Sequence, residues 1–169
     1  SLDNPPIYRH CERCGFLLIA DSKQEEILDK RHAERKDVTI LFSDLSEYTG
    51  ISEKYDPEDV QTIMGEIFDK SRLIISSCGG SVERFLGDEI MAIFGHPAAH
   101  EDDAVRAINA ARDIHRLVDD INARGIIEHP LHMHTGINTG MVITSGTSHN
   151  RLSIGITGAA ANLAKRIQH

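Results

Sequence analysis

The sequence predicts an α+β fold, a sandwich with helices on one side of a largely antiparallel sheet. Three observations predict it. Apolar spacing switches along the chain between the period of two that a strand needs and the 3.6 of a helix, in the order β-α-β-β-α-β-β-α. Two short apolar runs, Ser81–Leu86 and Glu89–Phe94, flank Gly87-Asp88, a common turn pair for a β-hairpin. The chain of 169 residues is 40% hydrophobic with 5% aromatics and no Trp, so one domain with an aliphatic core is expected beside a small appendage.

The elements follow in order. Residues 1–21 hold a Cys11-x-x-Cys14 pair and the apolar "FLLIA". Residues 22–36 are charged and rich in helix formers, with Ser22 as N-cap and Ile27 and Leu28 as the larger apolar anchors, which predicts a solvated connecting helix or one that pairs with a copy of itself. The core begins at residue 37 with "DVTILFSD", where Leu41 breaks strict alternation, so both faces of this strand should be covered. A helix is expected from Pro57 to Ser77, with Pro57 in the first turn and Gly79-Gly80 stopping it. The hairpin comes next.

"HEDDAVRAINAARDIHRLVDDINAR" reads as a second amphipathic helix, with Glu101, Asp102 and Asp103 in the first turn where the helix dipole favours them. "LHMHTGINTGMVITSG" reads as a strand, a Gly-marked turn and another strand, and "RLSIGIT" as a weaker strand. "GAAANLAKRIQ" has the small residues of a closely packed final helix. This order suits a ferredoxin-like βαββαβ sandwich.

Charge and composition exclude several functions. A net charge of -8 supplies no basic field to collect the phosphates of a nucleic acid. No run is long enough to span a bilayer, and no signal peptide is legible. Three cysteines do not make a disulfide framework, so a reducing cytoplasm is the expected location. An acidic protein that handles a polyphosphate would need metal ions to bridge the charges.

Asp44 closes the first strand and Asp88 caps the hairpin. If the first strand pairs beside the hairpin, both carboxylates end on one sheet edge. Two hard oxygen ligands can hold Mg²⁺ or Mn²⁺ and leave positions open for phosphate oxygens and water. Two such ions suit in-line phosphoryl displacement. Taken singly, each Asp is more often a turn or cap residue. The peptide after Asp44, "LSEYTG", could offer backbone N–H groups to phosphates.

The blocks "VTILFSDLSEYTGIS", "GGSVERFLGDEIMAIFG", "HEDDAVRA", "HTGINTGMV" and "GAAANLAKRIQ" resemble, in order and spacing, the class III adenylate/guanylate cyclase catalytic domain over about residues 37–168. The likeness is to bacterial enzymes whose cyclase domain follows a zinc-ribbon-like segment. It implies a palm-like class III cyclase fold over residues 37–169. Family domains continue with a further strand pair carrying a triphosphate-binding Lys, so a C-terminally incomplete version is expected. The resemblance makes Asp44 and Asp88, with the Leu45 backbone, the holders of two Mg²⁺ or Mn²⁺ ions. The family's N-x-A-x-R signature falls on Asn162, Ala164 and Arg166. Asn162 would orient the ribose and Arg166 would neutralise the triphosphate. The plain alternative for both is a solvated helix face. The family pattern also implies a head-to-tail homodimer, each site taking its carboxylates from one subunit and its Asn/Arg helix from the other. The reaction implied is ATP to 3′,5′-cyclic AMP and pyrophosphate.

The pattern departs at three nucleotide-binding places. The adenine-reading Lys falls at Arg84, and its Asp or Thr partner falls at Gly155, which has no side chain. Arg84 could donate to adenine N1 or to guanine O6 or N7, so GTP stays open as substrate. Where the family has Gly-Phe, this chain has Glu47-Tyr48, followed by Thr49, which puts a carboxylate beside the phosphate turn. A cyclase-like module that binds nucleotide or dimerises without turnover is therefore the alternative reading. A diguanylate-cyclase-type domain fits less well, since its Gly-Gly-Asp/Glu-Glu-Phe hairpin is replaced here by Leu-Gly-Asp-Glu-Ile.

Cys11 and Cys14, with or without His10, have a bite suited to Zn²⁺, but a structural site needs four ligands, so the rest would come from elsewhere. Two reduced thiols are the equal alternative. His132 and His134 alternate on one strand face and are expected to be ordinary surface or interface residues.

Overall fold

The computed structural model describes residues 34–46, 50, 54–145 and 155–168. Cys11, Cys14, the connecting segment up to residue 33, and Glu47, Tyr48 and Thr49 lie outside the described residues. The element order is β1 (Glu34–Ser46), α1 (Pro57–Ser77), β2 (Ser81–Leu86), β3 (Glu89–Phe94), α2 (Asp103–Asn122), β4 (His132–Ser145), β5 (Gly155–Thr157) and α3 (Ala159–Gln168). The five strands form one sheet in the order β2-β3-β1-β4-β5, with every neighbouring pair antiparallel. Its first four strands have the order expected of the ferredoxin-like sandwich.

Local chemistry explains the boundaries. The Asp56 carboxylate accepts a 3.0 Å hydrogen bond from the Glu58 N–H, and Pro57 opens α1 where no N–H is needed. Gly87 turns the hairpin with φ +63°, a conformation that L side chains adopt at a cost. The Asp103 side chain accepts from the His100 N–H at 2.7 Å and fixes the entry to α2, which starts at Asp103 rather than at Glu101.

Alternation along β1 divides its side chains between two cores. Leu41 and Leu45 pack with Ile63, Ile67, Ile114 and Val118 under α1 and α2. Val38, Ile40 and Phe42 pack with Met91, Ile93 and the alanines Ala160, Ala161 and Ala164 of α3. The helices thus lie on both faces, not on one as the sequence suggested. A helix whose buried face is made of small residues can approach a sheet closely and cover its second face.

Two further expectations change. β1 starts at Glu34, inside the stretch read as a connecting helix, because Glu34–Lys36 pair with Val142–Thr144. Strand pairing overrides the helix propensity of three charged residues. The expected turn inside "GINTG" is absent: β4 runs unbroken for 14 residues. Its glycines serve α3 instead. A Cβ on Gly136 would sit 2.1 Å from the Ala164 carbonyl oxygen and 2.5 Å from the Gln168 nitrogen. Among the described residues no helix is long and apolar enough to cross a membrane.

Candidate active site at the carboxylate edge

β1 is the middle strand of five, and Asp44 lies near its C-terminal end. In the ladder Asp44 stands opposite Glu89 of β3 on one side and His134 of β4 on the other. Counting by twos from Phe42, Met91 and Val142 puts all three on the face that α3 covers. Asp88 precedes Glu89 in the hairpin turn. The far-apart stretches around residues 44 and 88 therefore meet at one edge of the sheet, as the sequence reading requires.

The electrostatics of Asp88 follow from this meeting. Burial pushes the Asp88 carboxyl above the usual carboxylate range, and the charge of Asp44 and a side-chain hydrogen bond with Asp44 push the same way. The Asp88 backbone and the Lys165 ammonium pull against that rise. A carboxyl held above its usual range beside a second carboxylate is a place that positive charge would favour. Two hard oxygen donors crowded at a half-buried edge suit Mg²⁺ or Mn²⁺, with Leu45 as the adjacent backbone. Among the described residues no set of three His, Cys, Asp or Glu side chains gathers into a complete metal centre. A cation held here would need its remaining ligands from backbone, water or substrate.

The other predicted residues are spread out. Arg84 is exposed on β2, beside a register shift between Val82 and Arg84. Gly155 opens β5 opposite Ser145. β2 and β5 are the two edge strands, so the ladder does not bring Arg84 and Gly155 together. Asn162 and Arg166 are exposed on α3, whose inner face is used up in packing on the sheet. His132 and His134 are exposed at the start of β4, although His134 is the direct cross-strand neighbour of Asp44.

Two residues at the edge went unnoticed as site residues in the sequence. Glu89 is buried, and its Oε2 contacts the Lys165 ammonium, which also lies 5.6 Å from the centre of the Phe42 ring. The signal for Glu89 was available: it is two residues from Met91 and so shares the core face. No pattern within α3 alone pointed Lys165 at the hairpin.

Comparison with known proteins agrees with this architecture. The family described as the adenylate and guanylate cyclase catalytic domain matches residues 31–169. The terminal-differentiation-specific adenylate cyclase of Dictyostelium discoideum is 33% identical over 153 residues, covering 89% of this chain but only 7% of that much longer protein. The crystal structure of the guanylyl cyclase Cya2 superposes with a TM-score of 0.72 at 36% identity, covering 80% of this chain and 71% of that one. The adenylyl cyclase CyaB from P. aeruginosa superposes with a TM-score of 0.75 at 27% identity, covering 81% and 73%.

Proposed function

The chain belongs to the family of adenylate and guanylate cyclase catalytic domains, and from that premise we propose that it converts ATP to 3′,5′-cyclic AMP and pyrophosphate. The observation that carries the reading is the convergence of Asp44 and Asp88 on one sheet edge. In the reaction the ribose 3′ oxygen attacks the α-phosphorus, the bond to the bridging oxygen of the β-phosphate breaks, and pyrophosphate leaves with that oxygen. The 3′ hydroxyl proton passes to solvent.

Asp44 and Asp88, with the Leu45 backbone, would hold two Mg²⁺ or Mn²⁺ ions. Such ions supply charge stabilisation for the attacking and leaving oxygens. Arg84 donates to the base, and Gly155, on the opposite edge strand, is the second base-reading position that the family pattern implies. By the family resemblance, Glu47, Tyr48 and Thr49 would border the phosphates. Asn162 orients the ribose of a nucleotide, and Arg166 offsets charge on its triphosphate. Because both are exposed on α3, the reading assigns them to the site of a second copy in a head-to-tail homodimer. The catalytic domain takes in β1 from Glu34 onward, after a connecting segment that begins at residue 22 and a segment over 1–21 whose Cys11 and Cys14 would take Zn²⁺ with ligands from elsewhere.

GTP is the second substrate to test. Arg84 can only donate, Gly155 offers no acceptor side chain, and the chain is also similar to the guanylyl cyclase Cya2. The same bare Gly155 supports the reading of a module that binds nucleotide without turnover.

The test is product formation by the purified protein with Mn²⁺ and either ATP or GTP, cyclic nucleotide and pyrophosphate being quantified together. Cyclic AMP in step with pyrophosphate is the expected result. Asp44→Ala and Asp88→Ala should each lower turnover by roughly a hundredfold or more, as loss of a key charge stabiliser does. Their circular dichroism should stay that of wild type, because both side chains sit at strand ends. A dimer that binds nucleotide yet forms no cyclic product would remove the enzyme reading.

A further inference from the structure

Asp44 and Asp88 interact at the hairpin edge, and Glu89 follows Asp88 in the chain and stands opposite Asp44 in the ladder. We propose that the Lys165 ammonium is the built-in counter-ion of this corner, a tethered cation that a divalent ion must outcompete to enter. The inference rests on the metal reading of Asp44 and Asp88 and adds to it a residue outside the Asn162/Arg166 pair.

The geometry supports it from both ends of the side chain. The backbone of α3 is held close to the sheet by Ala160, Ala161 and Ala164 and by the missing side chain of Gly136. That approach fixes how far Lys165 can reach. Its ammonium meets Glu89 Oε2, on a side chain only 7% exposed, and lies over Phe42. Glu89 Oε2 has no hydrogen bond of good geometry, so the ammonium is its compensation. The same charge acts on Asp88, whose carboxyl it favours in the ionised form. Lys165 itself remains 40% exposed. A four-carbon stem with that exposure can swing outward, which a buried guanidinium fork would do less readily. The corner thus has two ways to balance its charge, one carried on the chain and one from solution. Both place positive charge at the same carboxylates, so each weakens the other.

Binding of Mn²⁺ alone, without nucleotide, tests the idea through the paramagnetic resonance signal of the free ion. Lys165→Gln should bind Mn²⁺ about tenfold more tightly than wild type, since one nearby unit of positive charge is gone. Lys165→Arg, which keeps the charge on a stiffer fork, should bind no more tightly than wild type, and Asp44→Asn should lose the binding. The metal-free Lys165→Gln protein should melt earlier than wild type and gain more from added Mn²⁺. A folded Lys165→Gln protein with unchanged or weaker Mn²⁺ affinity overturns the proposal, leaving Lys165 as a packing partner of Glu89. If Lys165→Gln does not fold, the comparison is Glu89→Gln against Glu89→Gln/Lys165→Gln, where loss of the lysine should again tighten binding. Failure of the underlying reading looks different: Mn²⁺ then binds wild type no better than it binds Asp44→Asn.

Discussion

Polar side chains line the α2 side of β1 and β4 in register. Thr39 and Thr139 share a 2.8 Å hydrogen bond, and Ser43 and Thr135 share one of 2.7 Å. Thr135 also meets His115 Nε2 at 3.0 Å, so α2 is tied to the strand one residue from Asp44's position. Burial pushes the His115 imidazole below its ordinary value, and His134 adds to this while Asp119 opposes it. The folded protein therefore binds this proton less readily than the unfolded chain does. The stability it contributes is complete above pH 6.5, the ordinary value, and is lost as pH falls through the lower folded value. His115→Gln stays neutral and can still bond Thr135. Between pH 7.5 and about pH 5 its melting temperature should fall less than that of wild type. Equal slopes in the two proteins would show that His115 charges freely. The residue scale was half legible in sequence. Asp44 and Asp88 could be placed because strand ends and hairpin turns are short-range patterns. The pairing of Glu89 with Lys165 could not, because it depends on which sheet face α3 covers.

The elements were legible wherever one residue's chemistry set a boundary. Pro57 and the Gly79-Gly80 stop gave α1, and Gly87-Asp88 gave the hairpin. They were misread where a glycine served a distant neighbour. Gly136 and Gly140 look like turn residues beside Asn138, yet they sit in mid-strand as the floor on which α3 rests. A period-based reading sees only the local chain, and the cause here lies nearly thirty residues away. Substitution separates the two roles. Gly136→Ala drives a methyl into the backbone of α3, where no side chain can rotate away, so destabilisation near the upper end of overpacking costs is expected, about 3 kcal/mol. For a chain of this size that is a loss of about 6–12 °C in melting temperature. Gly140→Ala meets only the Ala160 methyl at 3.0 Å and should cost less. Gly65→Ala, on the open face of α1 with nothing within 4 Å, should instead stabilise by about 0.5–1 kcal/mol. A Gly136→Ala protein that melts with wild type would mean that α3 does not rest on β4 as described.

For the whole molecule the decisive feature is that α3 has two kinds of work on two faces. Its inner face carries Ala160, Ala161, Ala164 and the Lys165 reach to the carboxylate corner. Its outer face carries exposed Asn162 and Arg166, flanked by Leu163 and Ile167, which are 45% and 53% exposed. Leu163 and Ile167 are four residues apart and so form one apolar stripe on the helix. An apolar stripe beside two outward polar groups is a surface that another chain would cover. If that chain is a second copy, each active site takes Asp44 and Asp88 from one subunit and Asn162 and Arg166 from the other. Asp88→Ala and Asn162→Ala would then each be inactive as homodimers. Their mixed dimer would hold one site with both defects and one site with none. Random reassociation of equal amounts makes half the dimers mixed, each with one working site of two, so about a quarter of wild-type turnover should return. The measurement is cyclic nucleotide formed after the two variants are unfolded together and refolded, with tags of two masses to verify the mixed dimer. A verified mixed dimer that stays inactive would place Asn162 and Asp88 in the site of one and the same chain, and α3 would then have to turn its outer face inward to serve it.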